Sequence, residues 1–178
     1  MYGIRWPSVT IIFVNYNGAK LLGKLFERFL ESIRSQEYRG KIEVIAIDNN
    51  SSDYSIDLIK QKIPEAKIIG LKENVGYVNA VNLGLGKATG KYIIILNNDI
   101  ILSKNFVQKI IRRIKELESR TKKEVVLVPI QIVGEGNKIL GTITVVNVLG
   151  QALHLDYLMP KQFFHRIYPK IPLSLIHI

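Results

Sequence analysis

The run Tyr-Ile-Ile-Ile-Leu-Asn-Asn-Asp, residues Tyr92–Asp99, is apolar until it ends abruptly in two amides and a carboxylate. A continuous β-rich run of this length reads as a buried strand of a parallel sheet. Open α/β sheets bind ligands just beyond the carboxyl ends of their strands, so a strand that delivers Asn97, Asn98 and Asp99 reads as part of a site. The competing reading is an ordinary turn, which Asn and Asp favour through local hydrogen bonds. One Asp flanked by amides carries too little charge to hold Mg²⁺ or Mn²⁺ alone. Such ions take one or two protein carboxylates and complete their shell with water and phosphate oxygens. The pattern therefore points to a cation that arrives with a phosphorylated ligand, a nucleotide.

On either side of this run, strands alternate with helices. Val9–Val14 reads as a strand ending in the turn Asn15-Tyr16-Asn17-Gly18. Leu21, Leu25, Phe29 and Ile33, with Leu22, Phe26 and Leu30 beside them, predict one amphipathic helix whose other face is charged. Ile42–Ile47 is a second strand, ending in Asp48-Asn49-Asn50-Ser51-Ser52-Asp53; a helix to about Lys62 follows, with Ser51 or Ser52 as its expected cap. Ala66–Leu71 is a third strand, 74–86 a loop and helix, and Lys91–Leu96 the fourth strand. Ser103 is expected to open a helix with Phe106, Val107, Ile110, Ile111, Ile114 and Leu117 on its apolar face, and Glu124–Val133 is a fifth strand. Ile139–Val146 reads as one or two strands, and 156–178 carries no readable element.

Alternation of this kind means βαβ units and a mainly parallel sheet flanked by helices, an α/β class. Right-handed crossovers then gather the polar clusters after the strands, Asn15–Asn17, Asp48–Asp53, Asn74–Asn82 and Asn97–Asp99, on one edge.

The bulk numbers set limits. The chain has 178 residues, within the range of about 100–200 for one domain, and 47% are hydrophobic. No apolar run approaches the roughly 18 residues of a membrane span, and the N-terminal patch reads as a strand rather than a leader, so a cytoplasmic location is expected. With no cysteine, disulfides and thiolate metal sites are excluded. Lys and Arg number 25 against 15 Asp and Glu, a net charge of +10. Such charge attracts anionic lipid, nucleic acid or phosphorylated small molecules, or is merely a soluble surface. The basic residues are dispersed and not interleaved with aromatics for base stacking, so no nucleic-acid partner is expected and peripheral membrane contact is the better expectation.

Each motif has a plain alternative. Asp48 could accept from a base or ribose, or organise a helix cap with Ser51 and Asp53; both can hold together. Asn79 and Asn82 share a helix face that could meet a ribose or phosphate, or simply water. Gly84-Leu85-Gly86 with Gly90 has the wrong spacing for a dinucleotide fingerprint and precedes a strand instead of following one. His154 and Asp156, two apart, make only a lone pair.

Four segments in order, VTIIFVNYNG (Val9–Gly18), VIAIDNNSSD (Val44–Asp53), ENVGYVNAVNLGL (Glu73–Leu85) and YIIILNNDI (Tyr92–Ile100), resemble the family 2 glycosyltransferases of GT-A fold, the rhamnosyltransferase-like members in particular. The resemblance covers roughly the first two-thirds of the chain. It implies a GT-A-like three-layer sandwich, with residues 1–133 as a nucleotide-sugar-binding core and 134–178 as a shortened, irregular end of the same domain, lacking much of the acceptor half. It implies that Tyr16, beside Asn15, lies against the nucleotide base, that Asn15 and Asn17 belong to the nucleotide site, that Asp48 accepts from the base with Asn49 and Ser51 nearby, and that Asn74, Gly76, Asn79 and Asn82 line the site. Asn97 and Asp99 stand in the family's Asp-x-Asp element, where Asp99 would hold Mg²⁺ or Mn²⁺ on the diphosphate; Asn97 replaces the first Asp.

The implied reaction is inverting transfer from a UDP-, dTDP- or GDP-linked sugar to a glycan or glycolipid acceptor, with a homodimer as a further expectation. A general base is required. Glu116, Glu118, Glu124 and Glu135 read as solvated or turn residues, which leaves Asp156 as the late acidic candidate. The alternative is a nucleoside-diphosphate-binding pseudoenzyme or donor-binding subunit without transfer of its own.

Overall fold

The computed structural model describes residues 6–122 in full and, beyond them, the backbone of five short strands. The chain forms two compact units, Met1–Gln108 and Lys109–Ile178.

In the first unit, β1 (Val9–Asn15), β2 (Ile42–Asp48), β3 (Lys67–Gly70) and β4 (Tyr92–Leu96) form one sheet in the order β3-β2-β1-β4, every pair parallel. The apolar runs become strands because both faces of β1 and β2 are buried; Ile11, Ile12, Phe13, Ile45, Ala46 and Ile47 are all inaccessible. α4 (Tyr77–Leu85) covers one face, where Ile12, Ile45 and Ile47 form a cluster with Ala80. Gly84 is what lets this helix come close. A Cβ there would stand 2.8 Å from Ile12 Cγ2 and 3.4 Å from Ile47 Cδ1. α2 (Lys24–Arg34) covers the opposite face, with Phe29 edge-on to Phe13 at 5.1 Å and Phe26, Leu30 and Ile33 buried around it. α3 (Ser55–Lys62) lies beside α2. This is a three-layer α/β/α arrangement, as expected.

Three local expectations need correction. The single helix through Leu21–Arg34 is two, α1 (Gly18–Leu22) and α2, because Gly23 adopts φ 52°, a conformation that only glycine enters easily. The break leaves Leu21 67% exposed rather than on the apolar stripe. Neither Ser51 nor Ser52 caps α3; no side chain caps it, and Asp53 instead accepts from the Ser55 amide (3.0 Å) and hydroxyl (2.5 Å). Finally, β4 is not buried on both sides. α4 lies over β1 and β2, so Ile93 and Ile95 on β4, the last strand of this sheet among the described residues, stay 43% and 45% exposed.

The N-terminal rim of the sheet is tied by Glu43. Its carboxylate accepts from Thr10 (2.6 Å), from the Thr89 amide and hydroxyl (2.9 Å each) and from Lys67 (2.8 Å).

α5 (Phe106–Thr121) begins at the end of the first unit, two residues later than its expected start allows, after the Ser103 carbonyl has accepted from the Phe106 amide. Phe106, Val107, Ile111 and Ile114 are buried. The second unit contains two antiparallel sheets, β5-β6-β9 (Gln131–Val133, Lys138–Leu140, Met159–Pro160) and β7-β8 (Ile143–Val146, Ala152–Leu155). The expected strand over 124–133 thus survives at 131–133, and 124–130 lie outside the described residues.

Candidate functional site

The strand register brings the polar clusters together. Asn15 is the sheet partner of Asp48, Asp48 is the partner of Gly70, and Phe13 is the partner of Leu96, the residue before Asn97. All four strands run the same way, so the segments after them share one rim. In the order β3-β2-β1-β4 the chain steps outward from β1 on one side and returns to its other side at β4. The crevice between the ends of β1 and β4 is the place where such sheets take ligands. Asn15–Asn17 flank it on one side and Asn97–Asp99 on the other.

The residues divide into a buried frame and an exposed rim. Asn15, Asp48 and Asn49 are buried. Asp48 Oδ1 accepts from Asn15 Nδ2 (2.8 Å) and from the Ser51 hydroxyl (2.6 Å), while Oδ2 accepts from the Ser51 amide (3.0 Å). Asn15 Nδ2 also donates to Ser51 Oγ (3.0 Å), and its Oδ1 accepts from the Gly18 amide. Ser51 Oγ accepts from the Asn17 amide (2.9 Å), and the Oδ1 of Asn17, a residue held at φ 50°, accepts from the Ser52 amide (2.8 Å). Asp48 is therefore the organiser of its own turn and of the loop after β1, and it does not cap α3. Oδ2, with one donor from the chain, retains capacity for another.

Two further links extend the frame. Asp53 accepts from the Lys20 amide (2.8 Å). Burial alone would raise its carboxyl, but the bonds from Ser55 and Lys20 outweigh this and hold it below its ordinary range. Asn49 Nδ2 donates to Asn74 Oδ1 (2.7 Å), Asn49 Oδ1 accepts from the Val75 amide (2.9 Å), and Asn74 Oδ1 accepts from the Gly76 amide (3.0 Å). Asn49 thus spends both ends of its amide, and Asn74 its Oδ1, joining the loops after β2 and β3.

Tyr16 (45% exposed), Gly76, Asn79, Asn97 and Asp99 form the accessible rim, and Asn82 is exposed further along α4. Asn79 Nδ2 donates to the Val75 carbonyl (2.9 Å), inside its own first turn. Gly76, at φ 80°, leads into α4, whose start no side chain caps, so its first amides remain open to an anion. Among the described residues, the Asp99 carboxylate has no hydrogen-bond partner. Tyr77 is a member of this rim that the sequence does not distinguish. Its hydroxyl donates to Asn97 Oδ1 (3.2 Å), and burial together with the nearby Asp99 charge pushes that hydroxyl above its ordinary pKa. The signal available was only its place after Gly76 in one of the four segments.

Among the described residues, no group of three or more His, Cys, Asp or Glu could hold a metal ion. The oxygens of Asp99 and Asn97 are hard donors suited to Mg²⁺ or Mn²⁺, too few for a cage and sufficient for an ion that shares phosphate ligands. Asp156 lies outside the described residues. No described helix is long and apolar enough to cross a membrane.

A family model described as Glycosyl transferase family 2 matches residues 10–141. An uncharacterized glycosyltransferase of Haemophilus influenzae is 31% identical over 108 residues, 59% of this chain and 32% of that protein. Staphylococcus aureus TarS 1–349 in complex with UDP superposes with a TM-score of 0.60 at 19% identity, over 72% of this chain and 37% of that one, a likeness of fold. A mannosyltransferase from Pyrobaculum calidifontis, in complex with GDP-Man and Mn²⁺, gives a TM-score of 0.52 at 26% identity, over 61% of this chain and 32% of that one. The chain spans about a third or less of the length of these relatives' sequences by the first matches, 32%, 25% and 27%.

Proposed function

The chain belongs to glycosyl transferase family 2, and we propose that it binds a nucleotide-sugar at the C-terminal rim of its parallel sheet for transfer of the sugar to a glycan or glycolipid acceptor. The observation that carries this reading is the convergence of Asn15, Asp48 and Asn97–Asp99 on one rim, around the point where the strand order reverses.

In this reading the exposed Tyr16 ring lies against the base and the frame beneath it holds Tyr16 and Asn17 in place. The free capacity of Asp48 Oδ2 serves a base or ribose donor. Gly76, Asn79 and Asn82 line the ribose and phosphate side. Asp99 and Asn97 would hold Mg²⁺ or Mn²⁺ on the diphosphate; bound there, the cation would neutralise charge developing on the leaving group. With one carboxylate in place of two, its affinity depends on the nucleotide being present. Direct attack by the acceptor hydroxyl inverts the anomeric centre and needs a base to take its proton. Residues 1–133 would form the donor-binding core. Support for a nucleotide-borne cation comes from the Pyrobaculum relative, which was solved with GDP-Man and Mn²⁺.

Calorimetry with UDP, GDP and dTDP, with and without Mn²⁺, tests the reading. Binding of at least one diphosphate, strengthened by Mn²⁺, is expected, and absence of binding to all three contradicts it. Binding without sugar transfer would identify a donor-binding unit lacking catalysis of its own.

A further inference from the structure

We propose that Tyr77 is a positioning residue for the cation corner: its hydroxyl, 3.2 Å from Asn97 Oδ1, holds the Asn97 amide with its oxygen presented to the diphosphate-bound ion. This rests on the reading above that Asn97 and Asp99 share that ion.

The need follows from the residue type. A carboxylate offers an oxygen whichever way it turns, whereas an amide offers an oxygen one way and two N–H donors the other. A side chain such as Asn97, exposed just after the end of β4, has nothing in its own strand to choose between these orientations. Tyr77 biases the choice, because a phenol, whose lone pairs delocalise into the ring, donates more readily than it accepts, and here its O–H donates to Asn97 Oδ1. A donated O–H occupies one lone pair of Oδ1 and leaves the second for the cation. Outer partners of this kind orient metal ligands, and their removal typically costs about 10–100-fold in metal affinity.

Tyr77 is itself well placed to act this way. It is the first residue of α4, and the segment before it is fastened through Gly76 and Asn74 to Asn49, which follows Asp48. A line of hydrogen bonds thus connects the buried frame to the exposed end of β4. The ring is 48% exposed, so its burial contributes little to the core, and loss of the hydroxyl alone leaves packing intact.

The test is titration of Mn²⁺ into the full chain saturated with its preferred nucleoside diphosphate, followed by calorimetry and by the Mn²⁺ relaxation of solvent protons. Tyr77→Phe should weaken Mn²⁺ binding by about 10-fold, the lower end of the outer-partner range. Metal-free diphosphate binding and the melting temperature should not change. In an Asn97→Asp background, where either orientation presents oxygen, Tyr77→Phe should have no effect on Mn²⁺ affinity. Mn²⁺ affinity unchanged by Tyr77→Phe in the otherwise native chain overturns the inference, and so does an equal loss in both backgrounds. If the native chain binds diphosphate and Mn²⁺ normally in these cases, the functional reading survives; if it binds neither, both fall together.

Discussion

Asp48→Asn removes one charge from the buried frame while keeping its shape, and its cost can be worked from the hydrogen bonds. Asp48 takes three donors: Asn15 Nδ2 and the Ser51 hydroxyl at Oδ1, and the Ser51 amide at Oδ2. An asparagine has one acceptor oxygen. If that oxygen replaces Oδ1, the new NH₂ faces the Ser51 amide; if it replaces Oδ2, the NH₂ faces the Asn15 amide. Ser51 Oγ offers little relief, because it already accepts from both Asn15 and Asn17. Either orientation opposes two donors in a place that is 2% exposed. A lost bond to a charged acceptor is worth about 1.5–3 kcal/mol, and an unsatisfied buried donor costs about 1–3 kcal/mol. Removing a buried charge returns part of this. The net expectation is a loss of about 2–3 kcal/mol, which for a chain of this size lowers the melting temperature by roughly 5–10 °C. Reversible urea unfolding measures it. A double-mutant cycle with Ser51→Ala should show coupling of about 1 kcal/mol or more, as contacting residues in one network do. An Asp48→Asn variant within about 0.5 kcal/mol of the native chain would refute the claim that this carboxylate fastens the loops after β1 and β2, since that is the scatter of neutral surface changes.

Glu43 ties the opposite rim and gives a pH signature. Burial would raise its carboxyl, but the bonds from Lys67, Thr10 and Thr89 hold it at about 2 against an ordinary 4.5. Its folded pKa is depressed, so the stabilisation is complete above about pH 4.5 and is lost as pH falls towards 2; it amounts to at most about 3 kcal/mol, less because Lys67 is solvent-exposed. Urea titrations across that window should show Glu43→Gln with a flatter dependence on pH than the native chain. Gly84→Ala should destabilise by about 1–2 kcal/mol, because pressing a methyl against Ile12 outweighs the gain in helix propensity of about 1 kcal/mol; a more stable variant would show that α4 can lift off the sheet freely. Asp99→Ala should leave thermal unfolding unchanged and abolish the Mn²⁺-dependent part of diphosphate binding in calorimetry, as its carboxylate makes no hydrogen bond to another described residue.

The strands were legible because burial on two faces demands apolar runs, as in Ile11–Phe13 and Ile45–Ile47, and the polar residues that end them stand out against those runs. Parallel alternation by itself puts those ends on one rim. What escaped the sequence were features decided by a single backbone angle or by a distant partner. The break at Gly23 depends on a positive φ, which a leucine repeat running across it conceals. The half-exposed face of β4 depends on how far α4 reaches across the sheet, and nothing within Tyr92–Leu96 encodes that. Asp48 and Asn49 were legible as polar, but their division between internal bonds and a ligand depends on Asn15, Ser51 and Asn74. Tyr77 became visible only through Asn97, 20 residues away.

The central claim is that one rim of the sheet receives a cation-bound diphosphate. Paramagnetic broadening of backbone amide resonances by Mn²⁺ with the preferred nucleoside diphosphate maps that rim directly. The expected result is diphosphate-dependent broadening confined to residues around Asn15–Gly18, Asp48–Ser51, Asn74–Asn79 and Asn97–Asp99, abolished by Asp99→Ala. Broadening centred instead on Lys41, Thr89 and Gly90, before the strands begin, would contradict it.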